Sequence, residues 1–182
     1  EGDNPSYPER AIEQDLERLR QKLERMRADT TTPDTRLSDD MNGINPATTE
    51  SLTRLMLGGL PTGRSCHALH SRLRYFDADR RRAGLPEDIG ALVEKLGDDE
   101  VTVSLVNASP VYERTVVVQG GAYAEHRLDR VTLGESAVGV TEAYGADHSA
   151  FSVRLAPGCG AQLKIALKRY ANPPTFAFPW DR

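Results

Sequence analysis

The sequence predicts a mainly β chain of the α+β class: an antiparallel β-sandwich preceded by N-terminal helices, the first long and amphipathic, and a linker. Three observations predict it. Past Asp98 the apolar residues recur at every second position. Turn signals divide that region at intervals of about ten residues. Near the N-terminus the apolar residues recur instead at steps of three and four. The expected division is a helical segment and linker over 1–60 and the sandwich, with one short helix, over 61–182.

The first helix opens on Ser6 and Glu9, the spacing of a capping box, with Pro8 suited to the first turn. Ile12, Leu16, Leu19, Leu23 and Met26 then form a heptad-like stripe on an otherwise charged helix of about twenty residues. Such a helix needs a surface to lie on, because propensity alone barely sustains it in water. A neighbouring domain of the same chain is favoured over self-dimerisation. Residues 30–45 are rich in Thr, Asp, Pro and Asn and read as linker. Asn45-Pro46 opens a second, short helix with Leu52, Leu55 and Met56 on one face, and Gly58-Gly59 ends it.

Cys66 to Phe76 fits a strand or a helix. The strand is favoured, because the pattern stops abruptly at Asp77. Pro86 is expected to open a short helix with Ile89, Leu92, Val93 and Leu96 inward. Val101, Val103 and Leu105 then alternate with polar neighbours, and Ala108-Ser109-Pro110 turns the chain. Further strands are expected at Thr115–Gln119, at about Tyr123–Leu133, more weakly at Ala137–Tyr144, around Phe151–Leu155 and around Leu163–Lys168. Gly120-Gly121 and Pro157-Gly158 provide bends between them. Clean alternation fits antiparallel pairing with one face buried and the other wet.

Composition narrows function by exclusion. A net charge of −4 gives no general pull toward nucleic acid. No run approaches the roughly 20 apolar residues of a membrane span, and the N-terminus lacks the order of a signal peptide. Cys66 and Cys159 fit two free thiols in a cytoplasmic protein better than a disulfide framework or a zinc site. The chain begins Glu1-Gly2-Asp3 without Met, so it is expected to be the C-terminal part of a longer protein. That missing N-terminal domain would be its partner and would hold any active site.

No catalytic residue, metal ligand or cofactor site is expected. On a strand Cys66 and His70 stand about 13 Å apart, too far for one zinc, and His67 points the other way. Cys66-His67 and Glu125-His126 are sequence neighbours, whereas catalytic partners are assembled by the fold. No carboxylate pair has the setting of a glycosidase, Asp77 and Asp79 lack a calcium-loop pattern, and the phosphate-loop, dinucleotide and nucleophile-elbow motifs are missing. Arg72, Arg74 and Arg80 to Arg82 lie among Asp77, Asp79, Glu87 and Asp88, a self-neutralising surface rather than a nucleic-acid patch. Tyr170, Phe176, Phe178 and Trp180 make an aromatic tail. It is expected to dock on a neighbouring domain, although such rings can also stack on a sugar.

Val153-Arg154-Leu155-Ala156-Pro157-Gly158, followed by Ala161-Gln162-Leu163-Lys164-Ile165, resembles the closing hairpin of C-terminal β-sandwiches in carbohydrate-active enzymes. Leu73 to Leu96, with Arg74-Tyr75-Phe76-Asp77 and Arg80 to Asp88, resembles the C-terminal region of large bacterial proteins of uncharacterised activity. The resemblance implies a non-catalytic C-terminal module, with carbohydrate as a candidate ligand, and supplies no catalytic motif. The alternative is a self-contained carbohydrate- or protein-binding module, for which Tyr123, Tyr170 and Trp180 are the candidate ligand-binding residues.

Overall fold

The computed structural model describes residues 4–35, 45–47, 49–59, 69–133, 140–144 and 148–182; within 140–144 it describes the backbone only. Backbone contacts divide the chain into two compact units, Glu1–Thr53 and Arg54–Arg182.

In the first unit, helix α1 spans Tyr7–Ala28. Ser6 precedes it, but no capping box forms. Ser6 has φ −86° and ψ 2°, turn-like rather than extended backbone, and its hydroxyl meets the Asn4 side chain instead. The buried positions are Ala11 and Asp15, while Leu16 and Met26 of the expected stripe are exposed and Ile12, Leu19 and Leu23 are half-buried. The covered face is therefore rotated from the apolar one. Asp15 explains the rotation: its carboxylate accepts the Ser51 N–H at 3.0 Å in the first turn of helix α2, Glu50–Leu57. A carboxylate at a helix N-terminus satisfies an orphan donor and faces the positive end of the dipole. Helix α2 starts four residues after Pro46, since Asn45 spends its side chain on the Ala47 N–H. Gly58 ends it with φ +61°.

The second unit is the expected antiparallel sandwich. Strands β1 (Leu73–Asp77), β2 (Arg82–Ala83), β5 (Arg114–Gly120), β7 (Val140–Tyr144) and β8 (Ala150–Leu155) form one sheet in the order β2-β1-β5-β8-β7. Strands β3 (Ile89–Leu96), β4 (Glu100–Asn107), β6 (Arg127–Leu133) and β9 (Gly160–Lys168) form the other, in the order β3-β4-β9-β6. Every pairing is antiparallel. Alternate residues of the facing strands fill the interior. Val101, Val103 and Leu105 meet Val116, Val118 and Val153, all fully buried. Tyr75 is buried with them, and its hydroxyl donates to the Met56 carbonyl at 2.7 Å. Burial pushes that phenol well above its ordinary proton affinity.

Two expected elements differ. Ile89–Leu96 is a strand, not the short helix expected after Pro86. Ile89, Ala91 and Val93 point inward at two-residue spacing, and a bulge between Val93 and Lys95 then shifts the register, leaving Leu96 exposed. The strand expected from about Tyr123 begins only at Arg127, because Gly121 and Ala124, with φ of +84° and +61°, wind the preceding residues into a turn. The ambiguous segment from Cys66 to Phe76 is strand from Leu73 onward; residues 60–68 lie outside the described residues.

Of the aromatic tail, Trp180 packs on the sandwich, while Tyr170, Phe176 and Phe178 are exposed. Phe76 and Val117 stand on the outer face of the five-stranded sheet, buried, with Trp180 against them. Arg182 closes the strap: its guanidinium donates to Gln119 Oε1 at 2.6 Å and to Ser149 Oγ at 3.0 Å. The four-stranded sheet keeps a polar outer face, where Ser104 and Gln162 both donate to Glu94.

Candidate functional site

Buried polar groups concentrate at one end of the sandwich, where the β5–β6 turn meets the start of β1 and the end of β9. The turn is built for close approach. Gly120 would put a Cβ within 2.7 Å of the His126 carbonyl, and Gly121 one within 2.4 Å of the Glu125 carboxyl. Only glycine leaves that room, so Gly120-Gly121 allows Glu125 and His126 to fold beneath the strand end.

Several of these buried groups find partners, while the Ser71 hydroxyl and the Arg169 Nε have none among the described residues. Glu125 accepts the Tyr123 N–H at 2.7 Å. His126 Nδ1 accepts the Tyr170 N–H at 3.2 Å, and the Tyr170 ring stands edge-on to the imidazole with centroids 4.9 Å apart. Asn172 donates to the Ala124 and Glu125 carbonyls. Arg72 donates to the Gly97 carbonyl at 3.1 Å, and Arg74 to that of Ala122 at 2.8 Å. Burial lowers the proton affinity of His126, opposed by Glu125 and reinforced by Arg72 and Arg169. An Nδ1 that accepts a backbone N–H carries no proton, so geometry and electrostatics agree on a neutral imidazole.

The three sequence-predicted ligand residues have three different aromatic partners. Tyr123 is half-buried edge-on to Phe176, its hydroxyl accepting the Leu69 N–H at 3.2 Å. Tyr170 is exposed, its hydroxyl 3.2 Å from His70 Nε2. Trp180 stacks flat on Phe178 and edge-on to Phe76, with the Arg81 guanidinium over its ring. They do not form one platform. Trp180 is committed to packing, whereas Tyr170 offers an open ring beside a polar cluster.

Of the residues considered for metal or thiol chemistry, Cys66 and His67 lie outside the described residues, and His70 belongs to the Tyr170 cluster. Among the described residues no group of three or more His, Cys, Asp or Glu is placed to hold a metal ion. Asp77 anchors a turn, accepting the Arg80 N–H and pairing with Arg82 at 3.2 Å. An opening of about 280 Å³ lies where β6 faces β8, between buried Leu128 and Phe151 and exposed Asp129, Arg130 and His148. Sequence reading missed the Arg72–His126–Tyr170 grouping. Its one signal was the glycine pair before Glu125-His126.

Residues 1–53 match the family model described as a domain of unknown function (DUF8034). The match ends where the first compact unit ends, at Thr53. No curated protein and no solved structure matches the chain. Among the described residues no helix is long and apolar enough to cross a membrane.

Proposed function

We propose that the chain is a non-catalytic accessory module of a larger bacterial protein, in which the sandwich binds or docks rather than transforms a substrate. One observation carries this reading. The space between the sheets is filled by fully buried aliphatic side chains, and several of the buried polar side chains at its margins are spent on backbone groups. Asn107 is the clearest case: its amide nitrogen donates to the carbonyls of Tyr112, Leu155 and Ala156, and its oxygen accepts the Ser109 N–H. A reaction centre needs groups left free to act on a ligand. The likeness of the closing hairpin to C-terminal sandwiches of carbohydrate-active enzymes makes a carbohydrate the first ligand class to test.

A self-contained binding module is the second reading, favoured by the tail, which covers its own sheet with Trp180 and Arg182. The test is a glycan-array screen of the full chain, followed by titration of any hit with Trp180 fluorescence and by a hydrolysis assay on the same glycan. Binding without turnover is the expected result. Turnover that survives purification and tracks the protein concentration overturns the non-catalytic reading.

A further inference from the structure

Several arginines of the sandwich are neutralised at the surface: Arg80, Arg81, Arg82, Arg114, Arg127 and Arg154 each pair with a carboxylate. Arg72 and Arg169 differ. Both are half-buried, and neither has an ion pair with a carboxylate among the described residues. The Arg169 Nε is buried and has no hydrogen-bond partner among the described residues. A buried guanidinium donor without a partner is costly enough to need an explanation.

Backbone hydrogen bonds gather the two arginines. The Gly121 N–H donates to the Arg72 carbonyl at 2.8 Å, the His126 N–H to the Gly120 carbonyl at 3.2 Å, and the Tyr170 N–H to His126 Nδ1. Arg169 places its guanidinium 5.3 Å over the Tyr170 ring, whose hydroxyl reaches His70. Burial lowers the proton affinity of Arg72, and the positive charge of Arg169 lowers it further.

The charge count selects the ligand. Arg74, at the same end, is committed to the Ala122 carbonyl and the Phe76 ring, while Arg72 and Arg169 share the end with one buried carboxylate, Glu125, which already accepts the Tyr123 N–H. Asp98, which also attracts Arg72, is exposed and therefore screened by water. Positive charge is left over, in planar forks that match a carboxylate. We propose that Arg72 and Arg169, with Tyr170 and His70 at the rim, bind a single carboxylate carried by a small molecule. The exposed Tyr170 ring offers an apolar face to the rest of that ligand. The site stands on the charges of the sandwich and does not depend on the module reading above.

The test titrates the isotope-labelled full chain with sodium acetate, sodium glucuronate, glucose and inorganic phosphate, at ionic strength held constant with sodium chloride. Arginine Nε–H resonances and the Tyr170 amide are followed by NMR. Acetate and glucuronate should shift Arg169 and Tyr170 saturably, while glucose leaves them in place. Glucuronate binding more tightly than acetate marks an acidic sugar as the source, and equal binding marks any small carboxylic acid. Arg169→Gln should weaken the carboxylate at least about tenfold, and Lys164→Gln, at an exposed position earlier on β9, should leave it unchanged. The proposal is overturned if neither carboxylate gives saturable shifts, if glucose matches glucuronate, or if phosphate binds more tightly than both. It is equally overturned if Arg169→Gln keeps native spectra and unchanged binding. Should Arg169→Gln fail to fold, the wild-type shifts decide, because a saturable response mapping away from Arg169 and Tyr170 sinks the site.

Discussion

Tyr75 and Met56 are joined through the core: the buried phenol of β1 donates to the Met56 carbonyl in the last turn of α2, at 2.7 Å. That carbonyl is among those a helix leaves without an intrahelical partner at its C-terminus. The bond therefore ties the end of α2 to β1 of the five-stranded sheet. Tyr75→Phe preserves the ring and strands the carbonyl. It should cost about 1–3 kcal/mol, read as a lower urea midpoint with an unchanged slope. An unaltered midpoint would mean that water replaces the phenol there.

Asn107 should prove a more damaging site. Its side chain holds three carbonyls and one N–H where β4 leaves its sheet. Asn107→Ala removes these bonds and leaves buried acceptors behind, a loss of about 2–4 kcal/mol. Asn107→Asp should be nearly as harmful, since a carboxylate cannot donate to the three carbonyls. Thermal unfolding of both variants against wild type measures this, and an Asp variant as stable as wild type would contradict it.

The sandwich should lose stability in mild acid through His126. Its ordinary value is 6.5, and burial lowers it in the folded chain. Below about pH 6.5 the unfolded chain therefore binds a proton that the folded chain still refuses. Stability is present in full above that pH and is lost as pH falls toward the folded value. Protonation of Nδ1 would also break the acceptor for the Tyr170 N–H. Urea midpoints measured from pH 7.5 to 5 should fall, and His126→Gln should flatten that decline. A midpoint that rises on acidification would reverse the sign of the argument.

Trp180 should report on the strap. The ring lies between Phe178, Phe76 and the Arg81 guanidinium. Trp180→Ala should cost about 1–3 kcal/mol. In the wild type, Gln119→Ala should red-shift the emission by loosening the Arg182 anchor. Emission indistinguishable between Gln119→Ala and wild type would show that the rings hold the strap without the latch.

The sandwich was legible wherever strands alternate undisturbed. Val101–Leu105 and Leu163–Leu167 bury alternate residues as their two-residue spacing requires. Ile89–Leu96 misled for a physical reason. Gly90 and Ala91 blur the alternation, the bulge after Val93 breaks its phase, and the remaining Ile, Leu, Val and Leu mimic helical spacing. The α1 stripe was legible as a helix, but periodicity locates apolar residues and says nothing of a carboxylate such as Asp15, whose partner is 36 residues away. The Arg72–His126–Tyr170 grouping was invisible because its members stand far apart in sequence and meet only through the turn at Gly120-Gly121. The tail's destination was equally hidden, since aromatic character does not reveal which surface receives it.

The unequal dressing of the two sheets has a practical side. Within the sandwich the lysines are Lys95, Lys164 and Lys168, all exposed and all carried by β3 or β9. Amine-reactive labels on this unit will therefore decorate a single broad side, leaving the strapped sheet free of dye. A sensor chip that couples the sandwich through those amines would hold it in one orientation, with the Trp180 side turned toward the flowing analyte.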